Sequence, residues 1–167
     1  MSTRSCVTVF VLLLSRLCID RFEFTSGEWP QPVREGNPHF NRRLQLVSET
    51  GYYLTILPNG HVKGADEDSD PYTILDVLAA GVGKVKLRGV ETGLYLAMDD
   101  RGILYGSDDH QDGSTVFIER PFAQYNTYES KEHRGWFVAI RKNGTAKPGP
   151  HTKLSQKSTK FLPVRGD

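Results

Sequence analysis

Eight cations fall between residues 131 and 160: Lys131, Arg134, Arg141, Lys142, Lys147, Lys153, Lys157 and Lys160. Glu132 is the single acid among them, so the segment carries a net +7. Most of these cations lie in or beside RKNGTAKPGPHTKLSQK (141–157), whose glycines and prolines mark a surface loop. A dense cationic loop attracts a polyanion through charge and through release of condensed counterions. The whole chain carries only +1, because the stretch 64–76 holds Asp66, Glu67, Asp68, Asp70 and Asp76 without a base. The positive charge is therefore localised, and general solubility does not explain it. No Phe, Tyr or Trp falls within 141–160, which leaves no platform for stacked bases. That favours a sulfated glycan over nucleic acid. Arg141, Lys142, Asn143, Lys147, Lys153, Gln156 and Lys157 supply the cations and amide donors such a chain needs.

Other chemistries find little support. His39, His61, His110, His133 and His151 are scattered and form no metal-spaced pair, and no hydrolase, zincin, phosphate-loop or dinucleotide motif occurs. Asp66, Asp68 and Asp70 imitate the start of a calcium loop. Pro71 then takes the glycine position and Val77 the place of the closing glutamate, so a solvated acidic loop is expected. The expectation is no enzyme, no metal and no cofactor. Cys6 and Cys18 are the only cysteines, which excludes a disulfide framework for the rest of the chain. No apolar run reaches the roughly 20 residues of a spanning helix, so membrane insertion is not expected.

The basic loop must be carried by a scaffold, and an internal repeat identifies it. GYYLTILPNGHVKG (51–64), GLYLAMDDRGILYG (93–106) and GWFVAIRKNGTAKP (135–148) superpose without gaps at an offset of 42. Gly51, Gly93 and Gly135 coincide, as do Gly60, Gly102 and Gly144. A later apolar strand recurs as YTILDV (72–77), STVFIE (114–119) and STKFLPV (158–164), two residues further on in the last unit. Leu54 and Ile56 alternate with Tyr53 and Thr55, the period of a strand. Asn59-Gly60 and Asn143-Gly144 read as two-residue hairpin turns with both residues at positive φ. No clean amphipathic helix appears, so the class is all-β. Three hairpin-bearing pseudo-repeats of about 42 residues predict a closed β-trefoil, since propellers usually need 4 to 8 blades. The 167 residues divide into a possible signal or leader segment (1–20), a flexible proline-bearing linker (21–40) and the trefoil domain (41–165). Arg4 ahead of the apolar run 6–14 resembles a secretory signal; Arg16 and the lack of a small-residue cleavage site depart from that pattern.

The strings YLAMDDRGILYGS (95–107), YNTYESK (125–131), WFVAIRKNG (136–144), KPGP with QK (147–157) and FLPV (161–164) resemble the fibroblast growth factors. The likeness runs from about Leu44 to Val164, and the core looks closest to the acidic and basic growth factors. It implies a secreted, extracellular ligand that activates receptor tyrosine kinases, with heparan sulfate or heparin as co-receptor. The family's heparin site is matched by Arg141, Lys142, Asn143 and Lys147, continuing through Lys153, Gln156 and Lys157. Its receptor surface is matched by Glu119, Tyr125, Asn126, Leu162 and Val164. The chain departs from the family at Leu46, where a receptor-contacting tyrosine is usual, and at Glu49, where an asparagine of the heparin site is usual. Asn143-Gly144-Thr145 is also an N-glycosylation sequon. Two other readings stay open at this point: an intracellular relative acting on cytosolic targets, with a cytoplasmic or nuclear pool, and a non-signalling glycan-binding trefoil.

Overall fold

The computed structural model describes residues 43–165. The expected leader (1–20) and linker (21–40) lie outside the described residues. Ten strands form, all paired antiparallel: β1 (Arg43–Ser48), β2 (Tyr53–Ile56), β3 (Val62–Ala65), β4 (Leu75–Gly81), β5 (Lys84–Gly89), β6 (Tyr95–Met98), β7 (Leu104–Ser107), β8 (Phe117–Phe122), β9 (Tyr125–Ser130) and β10 (Phe161–Arg165). Six of them close a barrel in the order β1, β4, β5, β8, β9, β10 and back to β1. Hairpins β2–β3 and β6–β7 join this barrel through β1 and β5. The third hairpin is held by isolated bridges, Glu129 with Phe137 and Ile140 with Ala146. The fold is the β-trefoil that the repeat predicts.

The core is built from symmetry-related positions. Leu54, Leu96 and Val138 form one set, Ile56, Met98 and Ile140 a second, and Leu75, Phe117 and Phe161 a third, each residue wholly buried. Leu46, Leu87 and Tyr128 form a fourth set, at most 1% exposed. Each such burial stabilises the fold by about 1.5–3 kcal/mol.

The recurring 72–77 pattern is not strand throughout. Each unit opens it with a single 3-10 turn, at Pro71–Thr73, Gly113–Thr115 and Lys157–Thr159. The buried hydroxyls of Thr73, Thr115 and Thr159 donate to the carbonyls of Asp70, Asp112 and Gln156 at 2.6, 2.6 and 2.8 Å. That local hydrogen bond competes with strand pairing.

The hairpin turns also differ from the two-residue reading. Only the glycines take positive φ, at 76° for Gly60, 78° for Gly102 and 77° for Gly144. The Gly60 amide donates to the Leu57 carbonyl and the Leu57 amide to the His61 carbonyl. This is a type I turn closed by a left-handed glycine, the three-residue form of hairpin. Asparagine serves through its side chain: Asn59 Oδ1 accepts from the His61 amide at 3.0 Å and Asn143 Oδ1 from the Thr145 amide at 3.2 Å. In the middle unit Asp99 does this work, accepting from the Arg101 and Ile103 amides at 2.9 and 2.7 Å.

These three turns interlock. The Gly64 amide donates to the Gly144 carbonyl at 2.7 Å, Gly106 to Gly60 at 2.8 Å and Gly149 to Gly102 at 2.8 Å. Pro148 occupies the Gly64 and Gly106 position in the third unit and has no N–H, so Gly149 takes over the donation. A Cβ on Gly102 would meet Gly149 N at 2.6 Å and Pro150 Cδ closer still, whereas Gly135 at φ 86° has open space. Gly102→Ala is therefore expected to cost about 3 kcal/mol or more, through strain and a backbone clash together. Gly135→Ala pays strain alone, about 1–2 kcal/mol. Urea melts of both variants measure the difference; equal losses would show that the interlock carries no load.

Candidate functional site

The third unit carries the basic loop, and its two extra residues fall after its hairpin, between Pro148 and Lys157. Arg141, Lys142 and Asn143 are exposed at the turn, where the middle unit has Asp99, Asp100 and Arg101. Charge is reversed at equivalent places on one scaffold. Arg141 donates to Thr145 Oγ1 at 3.3 Å, and Asn143 Oδ1 accepts from the same hydroxyl at 2.7 Å. The loop then runs through the 3-10 turn Gly149–His151.

Gln156 is the hub of this loop. Its counterparts Asp70 and Asp112 cap their 3-10 turns by accepting from the Tyr72 and Ser114 amides, both at 2.9 Å. Gln156 makes no such cap. Its Oε1 instead accepts from Lys147 Nζ at 2.8 Å and from the Lys153 amide at 3.3 Å. Replacing the capping aspartate by glutamine removes a negative charge and converts the side chain into an anchor for lysines. Lys153 and Lys157 are exposed and Lys147 is half-buried. Six of the seven residues expected for the glycan site are thus tied into one loop by hydrogen bonds or turn geometry. The seventh, Lys157, begins the next 3-10 turn and faces Glu49, with Nζ 3.6 Å from Oε1.

A second departure from threefold symmetry lies on β8 and β9. Val77, Val85 and Leu87 are core residues of the first half of the barrel. Their counterparts one repeat later are Glu119, Asn126 and Tyr128. Asn126 Nδ2 donates to Glu119 Oε1 at 2.9 Å and the Tyr128 hydroxyl donates to the same oxygen at 3.3 Å. Burial, followed by the nearby Glu119 carboxylate, holds the Tyr128 phenol well above its ordinary value, so it stays a donor. A half-buried carboxylate held by these donors thus stands where the first unit has an aliphatic side chain. Such a node adds nothing to packing that valine and leucine would not supply.

Apolar side chains lie on the same and neighbouring strands. Tyr125 is half-buried and lies across the strand pair from Phe122, which is 39% exposed. On β10, Leu162 is 36% exposed and Val164 half-buried. Leu162 is therefore surface and not core. Lys160 joins the two regions: its ammonium lies 4.7 Å from the Phe122 ring centroid and 3.3 Å from Glu49 Oε2.

The fold agrees with what comparison finds. Residues 42–162 match the family model described as fibroblast growth factor. The chain is 46% identical over 125 residues to fibroblast growth factor 1 of Notophthalmus viridescens, covering 73% of this chain and 94% of that one. It is 40% identical over 148 residues to fibroblast growth factor 1 of Cynops pyrrhogaster, covering 87% and 93%. Fibroblast growth factor 1 of Xenopus laevis is 40% identical over 124 residues, covering 73% and 80%. The chain belongs to the fibroblast growth factor family. It is a growth factor and not an enzyme. Among the described residues no helix is long and apolar enough to cross a membrane, and no cluster of three or more metal-ligating side chains occurs.

In this fibroblast growth factor, reading the sequence missed three participants. Tyr128 fills a core position in the repeat, and its hydroxyl matters only because Glu119 and Asn126 stand beside it. The repeat held the signal, since Glu119, Asn126 and Tyr128 break three aliphatic columns at once. Lys160 and Phe122 are 38 residues apart and nothing local pairs them. Leu46, at the place of the family's receptor-contacting tyrosine, is buried in the core and presents no surface at all.

Proposed function

We propose that this growth factor is exported and activates receptor tyrosine kinases by binding their extracellular immunoglobulin-like domains. Glu119, Tyr125, Asn126, Leu162 and Val164 contact the receptor. Arg141, Lys142, Asn143, Lys147, Lys153, Gln156 and Lys157 hold heparan sulfate, which bridges ligand and receptor so that two receptors stay together. Residues 1–20 act as the export leader, 21–40 as a linker and 41–165 as the growth-factor domain. No bond is made or broken. A few apolar anchors around a fixed carboxylate set receptor affinity, and the glycan raises effective concentration by tethering.

One observation carries the reading. The third unit departs from the other two where its loop gathers cations, and a polar node of Glu119, Asn126 and Tyr128 stands where the first unit has Val77, Val85 and Leu87.

The test adds purified protein to cells bearing fibroblast growth factor receptors, with and without heparinase treatment. Receptor phosphorylation is expected to fall at least ~10-fold on treatment and to return with soluble heparin. Phosphorylation that ignores heparinase removes the co-receptor role. No phosphorylation at all, with the protein confined to producing cells, overturns the proposal in favour of an intracellular role.

A further inference from the structure

Glu49 is an acid inside a cationic face. It follows β1 in the turn to β2, and its amide donates to the Lys160 carbonyl at 2.9 Å, pinning this turn against the segment that carries Lys157. Its side chain is 20% exposed, with Oε1 3.6 Å from Lys157 Nζ and Oε2 3.3 Å from Lys160 Nζ. Oε2 is buried and, among the described residues, finds no aligned hydrogen-bond donor.

The two lysines are not equivalent. Lys160 is 15% exposed and also covers the Phe122 ring. It is committed to the protein. Lys157 is 67% exposed and touches Glu49 at the longer distance. It is the cation an external anion can capture. The carboxylate, under-satisfied by its partners, competes for it.

We infer that Glu49 is a built-in anion that occupies Lys157 and limits the protein's affinity for sulfated glycan. This rests on the glycan reading above and deepens it: the residue sets how strongly sulfated a chain must be. A sulfate displaces the carboxylate from Lys157 only if its own attraction exceeds an intramolecular one. Exposed pairs are weak and screened by salt, so the brake is partial. It discriminates against sparsely sulfated chains and yields to dense ones.

The test measures retention on immobilised heparin and on partly desulfated heparin, over a salt series. Glu49→Gln, which keeps the shape, is expected to raise heparin affinity about 3- to 10-fold near physiological salt. The gain on partly desulfated heparin should be larger. In a Lys157→Ala background the same change should lose most of its gain, the coupling a double-mutant cycle detects. A second arm leaves Glu49 in place: Lys157→Ala should cost less affinity than Lys142→Ala, since its charge is already countered. A purely structural Glu49 would lower the melting temperature and leave retention unchanged. Wild-type retention with no gain in Glu49→Gln overturns the inference and leaves the glycan reading standing. Wild type that passes unretained at about 0.1 M salt overturns both.

Discussion

Glu119→Ala is expected to weaken receptor binding by about 30-fold or more, the scale of a central interface residue. Asn126 and Tyr128 both donate to Oε1 of the carboxylate, so it is ordered before any partner binds. Little side-chain entropy remains to be lost on binding. Alanine also strands two donors, one of them on a side chain 1% exposed, and that costs stability. Glu119→Gln separates the two effects. Its amide oxygen still accepts from Asn126 and Tyr128, so the melting temperature should stay near wild type. Its charge is gone, so receptor affinity should fall nearly as far as in the alanine variant. Surface plasmon resonance on a receptor ectodomain, beside a thermal melt, reads both quantities. If glutamine restored full affinity, the charge would have no role and the node would be a packing feature.

The same node shows why part of this molecule could be read from its sequence. The trefoil was legible because three copies of one pattern must fill equivalent places in one core. Leu54, Leu96 and Val138 have no freedom to differ in kind. The glycines at 60, 102 and 144 were legible because a left-handed turn admits little else. Their turn type was not. Asn-Gly suits both a two-residue turn and a type I turn with a glycine bulge, and the interlock with Gly64, Gly106 and Gly149 chooses between them. The candidate surfaces divide in the same way. Cations crowd together in sequence, so the loop around Arg141 and Lys142 announces itself. The pairing of Glu49 with Lys157 spans 108 residues and exists only because β1 and β10 are neighbours in the closed barrel. Gln156 looked like one more amide donor. Only its failure to cap, where Asp70 and Asp112 do, reveals an acceptor that gathers lysines.

Lys142→Ala combined with Lys153→Ala is expected to lower heparin affinity about 10- to 100-fold at physiological salt, and the salt concentration that elutes the protein with it. Both side chains are exposed, and neither is among the side chains that fill the core, so the fold should hold. The loss has a diagnostic form. Each cation that neutralises a charge on the polyanion releases about 0.7–0.9 counterions, so the log–log salt slope should shrink by roughly 1.5 for the pair. Removing two cations elsewhere gives the control: Lys84→Ala with Lys86→Ala changes net charge equally but on β5, which pairs with β4, β6 and β8 and not with the loop. If long-range charge alone drew the glycan, the two pairs would behave alike. If the loop is a site, the β5 pair should stay within about 2-fold of wild type while the loop pair does not, because screening at this salt confines an exposed charge to roughly 8 Å. Equal losses from the two pairs would therefore dissolve the site into a general field, and with it the meaning given to the third unit's departure from symmetry.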